Sequence, residues 1–151
     1  MRILVIAYDI SNLSSSASVN KMLTEGLCNC GNSVAVIASQ VRSSANFEES
    51  ICVKPRVQLP VKIAKLAILA SGRDLRYCLW SFHAYREALG KVIKFQPDII
   101  YALGSSGKGY ILNLAYRLSK RVDKPLAIHL VDPIPPPRHY EPRALILEDY
   151  G

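Results

Sequence analysis

The first residues placed to do chemistry are serines. Ser14, Ser15 and Ser16 lie in a serine-rich turn, Ser11 to Ser18, between the apolar run Ile3 to Tyr8 and a helical stretch. Serines there either cap the orphan N–H groups of the helix or offer hydroxyls to a phosphate or sugar, and the sequence leaves both uses open. A second loop, Ala102-Leu103-Gly104-Ser105-Ser106-Gly107-Lys108-Gly109, also joins an apolar run to a helical pattern. Gly104, Ser105 and Lys108 would bring backbone N–H groups, a hydroxyl and an ammonium to an anion; the same residues also make a plain glycine-rich turn. It is not a Walker A loop, because Ala102 stands where glycine is required and Gly109 where a serine or threonine would hold magnesium. Asp132 closes the last apolar run, where its carboxylate either binds hydroxyls or forms the turn before Pro133.

These loops need a scaffold, and the pattern of runs supplies one. The strands expected are Ile3 to Tyr8, Ser33 to Ser39, a short third one over Ile51 to Val57 interrupted by Pro55, Pro97 to Leu103, and Leu126 to Val131. Helices are expected over Ala17 to Gly31, Val61 to Ser71, Leu75 to Phe95 and Gly109 to Arg121, with Gly31 as the stop of the first. Alternating strands and helices predict a three-layer α/β/α Rossmann-like domain with a parallel sheet of four or five strands. The first loop has no glycine between Tyr8 and Ser16, so a dinucleotide fingerprint is absent. His129, deep in the last strand, is expected to be buried.

The chain has 151 residues, half of them hydrophobic, which suffices for one core. No run approaches the roughly 20 apolar residues of a membrane span, and no signal segment is visible, so a cytoplasmic protein is expected. Cys28, Cys30, Cys52 and Cys78 lack zinc or redox spacing and are expected to be inert thiols. The net charge is +7, and the stretch Lys54 to Lys94 carries nine basic residues against Asp74 and Glu87, an excess equal to the whole net charge. Lys62, Lys65, Arg73 and Arg76 in this stretch lie near Ile63, Leu66, Ala67 and Ala70 and near Tyr77, Leu79, Trp80, Phe82 and Tyr85. That mixture suits docking at an anionic membrane, on the inner face of a bilayer, or else an apolar stripe on the sheet with a solvated basic face. No nucleic-acid module is recognisable, so no nucleic-acid partner is expected.

Three phrases occur in order: the helix stop and strand Gly31-Asn32-Ser33 to Ala38, Phe95-Gln96-Pro97-Asp98-Ile99-Ile100-Tyr101-Ala102, and Lys124-Pro125-Leu126 to Asp132-Pro133. Together with the opening strand and loop they resemble the N-terminal domain of GT-B glycosyltransferases of the family 4 type. The resemblance covers nearly the whole chain. It implies an acceptor-side domain, residues 1–137, with 138–151 as tail or start of an interdomain segment. The nucleotide-sugar donor would be held by a missing C-terminal domain or partner chain, and a sugar or lipid-linked acceptor by this one. Transfer to an acceptor hydroxyl needs no cofactor and no structural metal, and the isolated chain is expected to be inactive; a non-catalytic subunit of a split transferase is the alternative. Where relatives carry a glycine pair this chain has Ser14, Ser15 and Ser16, and where many carry a histidine before the strand-ending aspartate it has Val131. Asp132 matches that aspartate. No residue is assigned as catalytic base. Glu141 and Glu148 are one residue short of the family's glutamate spacing and are read as surface charges.

Overall fold

The computed structural model describes residues 1–54, 75–104 and 109–130, together with Ile63 and Leu66; of Leu75 and Arg76 only the backbone is described. The elements are β1 (Arg2–Ile6), β2 (Asp9–Ile10), α1 (Ser15–Asn29), β3 (Ser33–Ala38), β4 (Gln40–Val41), β5 (Glu49–Cys52), α2 (Leu75–Phe95), β6 (Ile99–Gly104), α3 (Gly109–Val122) and β7 (Leu126–Leu130). Five strands form one parallel sheet in the order β5-β3-β1-β6-β7. The expected α/β class and strand count are therefore observed.

Alternation along the strands divides the core into two layers. Leu4, Ile6, Ala35, Ile37, Ile51, Ile100 and Ala102 face α2 and α3, meeting Trp80, Ala84, Ala88 and Val92 from the first and Ile111, Leu114 and Leu118 from the second. Ile3, Val5, Val34, Val36 and Leu103 face the other way, packing with Leu23 and Leu27 of α1. Both faces of the central strands are thus apolar, as a buried parallel sheet requires. The connection from β3 to β5 has no helix, so among the described residues α1 is the helix on its face, joined there by Ile10, Val41 and Phe47.

Local chemistry sets the element ends. Ser14 is the N-cap of α1, its hydroxyl accepting from the Ala17 N–H at 3.2 Å. Gly31, at φ 76°, ends the helix as foreseen. The corresponding stop after α2 is Gln96 at φ 48°, a left-handed conformation that a side chain resists, and its N–H reaches the Val92 carbonyl at 3.0 Å. Gln96→Gly is accordingly expected to stabilise the fold by roughly 0.5–1 kcal/mol, read as a rise of about 1–4 °C in melting temperature. A lowered melting temperature would contradict this account of the stop.

At the opposite end of the sheet from the serine loop, Glu48 joins β1 to β3. Its carboxylate accepts from the Ser33 hydroxyl and pairs with the Arg2 guanidinium at 2.7 Å. The Ser33 hydrogen bond, and after it the Arg2 bond and charge, hold this carboxyl below the usual carboxylate range. A depressed folded-state pKa gives stability that is present above the unfolded value of about 4.3 and lost as pH falls through the folded value. The stability advantage over Glu48→Gln should therefore be constant from neutral pH to about 5, shrink as pH falls below that, and be gone once the folded-state carboxyl is protonated, as read in denaturant titrations. An advantage that persists in acid would assign it to packing instead.

Several expectations need correction. The first strand does not run to Tyr8: it ends at Ile6, and after two residues the chain pairs again as β2, parallel to β4, in a separate two-stranded sheet. The third strand starts at Glu49, before the expected Ile51, and ends at Cys52, while Pro55 to Val57 lie outside the described residues. His129 is half-buried rather than buried, because β7 is the edge strand of the sheet among the described residues; its ring lies 6.4 Å from that of Tyr101. Trp80 belongs to the core and not to a surface belt, and Tyr77 and Tyr85 pack partly against it. Of the expected helix over Val61 to Ser71, only Ile63 and Leu66 are described; both are helical and exposed. All four cysteines are free, and burial followed by the nearby Glu25 charge pushes the Cys28 thiol up.

Candidate active site at the carboxyl edge of the sheet

The strand order makes one place special. From β1 the chain moves outward to β3 and β5, then returns to β6 on the other side of β1 and continues to β7. The loops leaving β1 and β6 therefore diverge to opposite faces, opening a crevice at the carboxyl ends of these two neighbours. Three groups of residues lie there.

The first is the serine loop. Ser11 is fully buried, and its hydroxyl accepts from the Leu13 N–H at 3.1 Å, which tightens the turn. Ser14 caps α1, while Ser15 is exposed and Ser16 half-exposed, with the Ser14 and Ser16 oxygens 3.4 Å apart. The first turn of α1 contains no acidic residue, so the positive end of the helix dipole is uncompensated by its own side chains. Capping is thus the observed role of Ser14. Ser15 and Ser16 keep their hydroxyls at the edge of the loop.

The second group is a polar cluster that binds the small sheet to α1. The Asn20 side chain donates to the Asp9 carbonyl at 3.1 Å, and the Gln40 side chain donates to Asp9 Oδ2 at 3.2 Å. Two oxygens here, Asp9 Oδ1 and Asn20 Oδ1, are buried without a hydrogen-bond donor. A buried acceptor left unmatched costs about 1–3 kcal/mol, so this cluster is suited to receive an O–H or N–H donor. Sequence reading overlooked Asp9 and Asn20. The only clue was the polar pair Tyr8-Asp9 interrupting an apolar run, and their meeting depends on residues eleven apart in the chain.

The third group is aromatic. Tyr8 lies edge-on to Tyr77 at 4.9 Å, to Trp80 at 5.1 Å and to Tyr110 at 5.9 Å between ring centroids. Tyr77 and Tyr110 stack at 4.7 Å. The Trp80 indole N–H donates to the Val53 carbonyl at 2.7 Å, tying α2 to the chain just beyond β5. These rings fill the space where the carboxyl end of β1, α2 and the start of α3 converge.

Gly104 ends β6 on this edge. A Cβ there would stand 3.4 Å from Cδ2 of both Leu112 and Leu130, so the glycine serves close packing between α3 and β7. Ser105, Lys108 and Asp132 lie outside the described residues, as do Val131, Glu141 and Glu148. Lys62, Lys65 and Arg73 do so as well, and Arg76 is described only as a backbone position in α2. Among the described residues no three His, Cys, Asp or Glu side chains converge to hold a metal, and no helix is long and apolar enough to cross a membrane.

Comparison by sequence finds no matching family model and no matching curated protein. Comparison by structure does find similar chains. The glycosyltransferase SnogD from Streptomyces nogalater superposes with a TM-score of 0.53 at 16% identity, over 100% of this chain and 39% of its own. The glycosyltransferase SsfS6 from Streptomyces sp. SF2575 gives 0.56 at 19% identity, over 87% of this chain and 40% of its own. CalG4, the calicheamicin glycosyltransferase, gives 0.57 at 14% identity, over 99% and 37%. The chain thus spans about two fifths of the length of these enzymes and shares the α/β fold of that portion of them.

Proposed function

We propose that this chain is the acceptor-side, N-terminal domain of a GT-B glycosyltransferase of the family 4 type. It contributes to the transfer of a sugar from a nucleotide sugar to an acceptor hydroxyl. The observation that carries the reading is the five-stranded parallel sheet with its crevice between β1 and β6, in a fold shared with part of three glycosyltransferases. One of them, SsfS6, has also been solved with thymidine diphosphate. A nucleotide diphosphate sugar is accordingly the donor class for the complete enzyme, held by a donor domain that faces the crevice.

The crevice residues suit an acceptor rich in hydroxyl groups. Asp9 Oδ1 and Asn20 Oδ1 would accept from its hydroxyls, and Ser15 and Ser16 would exchange hydrogen bonds at the mouth of α1. Ser14 supports them by capping the helix; Gly104, at the end of β6, and Ser105, Lys108 and Asp132, which follow β6 or β7 in sequence, would add further contacts. The positive end of α1 would favour a phosphate on donor or acceptor.

Calorimetric titration of the purified chain tests the reading. Thymidine and uridine diphosphates and their sugars form one series, and a sugar phosphate with free hydroxyls forms the other. Acceptor-analogue binding without nucleotide binding is the expected result. Tight nucleotide-sugar binding would place the donor site in this chain instead, and binding of neither series would remove the crevice as a ligand site.

A further inference from the structure

We propose that the outward face of α2 is a docking surface for an anionic lipid bilayer. The inward face of this helix is accounted for by Trp80, Ala84, Ala88, Val92 and Phe95, all buried. A helix packed on one side of a core needs only that stripe to be apolar. Yet the opposite side carries a second one: Leu79, Phe82 and Ile93 are 36%, 48% and 50% exposed. With Arg86 and Gly90 between them, the intervals are three, four, four and three residues, which is a single line along the helix about 20 Å long.

The charge around this line decides what it fits. The Arg86 guanidinium stands 5.9 Å above the Phe82 ring, and exposed Lys94 follows Ile93. Lys91, by contrast, is held by Glu49 at 2.9 Å and is not counted. Before α2, Ile63 and Leu66 are likewise 50% and 64% exposed, three residues apart at helical positions. They come from the stretch Lys54 to Lys94, in which eight basic residues besides Lys91 outnumber Asp74 and Glu87. Isolated large apolar side chains set among positive charges match an interface where hydrocarbon lies beneath anionic headgroups. A protein partner would call for a broader and more continuous apolar core with charges kept to its rim.

The test uses the full chain and two kinds of large vesicle, pure phosphatidylcholine and an equimolar mixture with phosphatidylglycerol, read by co-sedimentation. Two double variants alter only exposed side chains: Arg86→Gln with Lys94→Gln, and Phe82→Ser with Ile93→Ser, each checked for a native circular dichroism spectrum. Binding should be confined to the anionic vesicles and should weaken as salt rises past about 0.1 M. It should fall roughly twenty-five-fold in the charge variant, since each basic group near such a surface contributes about five-fold, and at least about ten-fold in the apolar variant. A chain that stays in the supernatant, binds both vesicles equally or is unaffected by the Phe82 and Ile93 changes overturns the proposal. So does a concentration-dependent dimer by sedimentation that the Phe82→Ser and Ile93→Ser changes abolish, because the face would then be covered by a second copy. The vesicle readout involves no sugar or nucleotide, so its outcome is independent of the transferase reading.

Discussion

Trp80→Ala is expected to destabilise the chain by about 3–5 kcal/mol, the range for deleting a fully buried large aromatic side chain. Trp80 is buried between α2 and the sheet, and it is the only tryptophan. Its loss removes the packing of Ala84 and Tyr110 around the ring and leaves the Val53 carbonyl without its indole donor. Trp80→Phe keeps most of the apolar volume but removes the N–H together with part of the bicyclic ring; about 1–3 kcal/mol is expected for the orphaned carbonyl, with a cavity term in addition. Urea unfolding followed by far-ultraviolet circular dichroism measures both without relying on tryptophan fluorescence. If Trp80→Ala costs less than about 1 kcal/mol, the residue is not the keystone of this layer. With a total stability of the ordinary 5–15 kcal/mol, the expected loss would leave a detectable unfolded fraction in a marginal domain.

Removing the Tyr8 ring should have the second largest effect, about 2–4 kcal/mol for Tyr8→Ala. The ring makes edge-to-face contacts with three others, each arrangement contributing about 0.5–1.5 kcal/mol beyond burial. Its backbone is also the bridge between the two sheets: the Tyr8 carbonyl accepts from both the Ser39 N–H at 2.8 Å and the Ser39 hydroxyl at 2.7 Å. Alanine keeps that carbonyl but loses the anchor that positions it. Hydrogen exchange should therefore accelerate at Ser39 and at Arg42, whose N–H donates to Ile10, more than at β1 or β6. Uniform acceleration across the sheet would mean that the ring contributes only global stability. A titration series against sugar phosphates would then report whether loosening β2 and β4 also weakens the crevice.

The contrast between what was legible in the residues and what was not follows range along the chain. The helix Leu75–Phe95 and the strand Ser33–Ala38 could be read because their apolar spacing is local and long enough to show a period. The stop at Gly31 was visible for the same reason, and so was a serine cap, although which of Ser14, Ser15 and Ser16 caps was settled only by the helix starting at Ser15. The β2 and β4 strands have two residues each, too few for alternation to register, and their pairing joins Asp9 to Gln40. The sequence left the aromatic stretch open between a membrane surface and a stripe packed on the sheet, because Tyr77, Trp80, Phe82 and Tyr85 form one run in sequence. On the helix they point in different directions, with Trp80 inward and Phe82 outward. Likewise the unmatched oxygens of Asp9 and Asn20 exist only once α1 has been laid against β2.

The central position of β1 has a consequence for the order in which this chain is built. The strand occupies residues 2–6, yet one of its two neighbours is β6, with Ile3 beside Ile99 and Ile6 beside Ala102. A ribosome therefore delivers the middle of the sheet first and its second flank only after some hundred residues. Until then β1 has β3 alone beside it, with an apolar edge open to solvent and to other nascent chains. The early partner is secured by short-range devices, the α1 cap, the Gly31 stop and the Ser33–Glu48–Arg2 contact, all encoded before residue 50. These allow a β1-α1-β3 unit to hold its register while synthesis proceeds, and the closing of the crevice becomes a late event in the life of the chain.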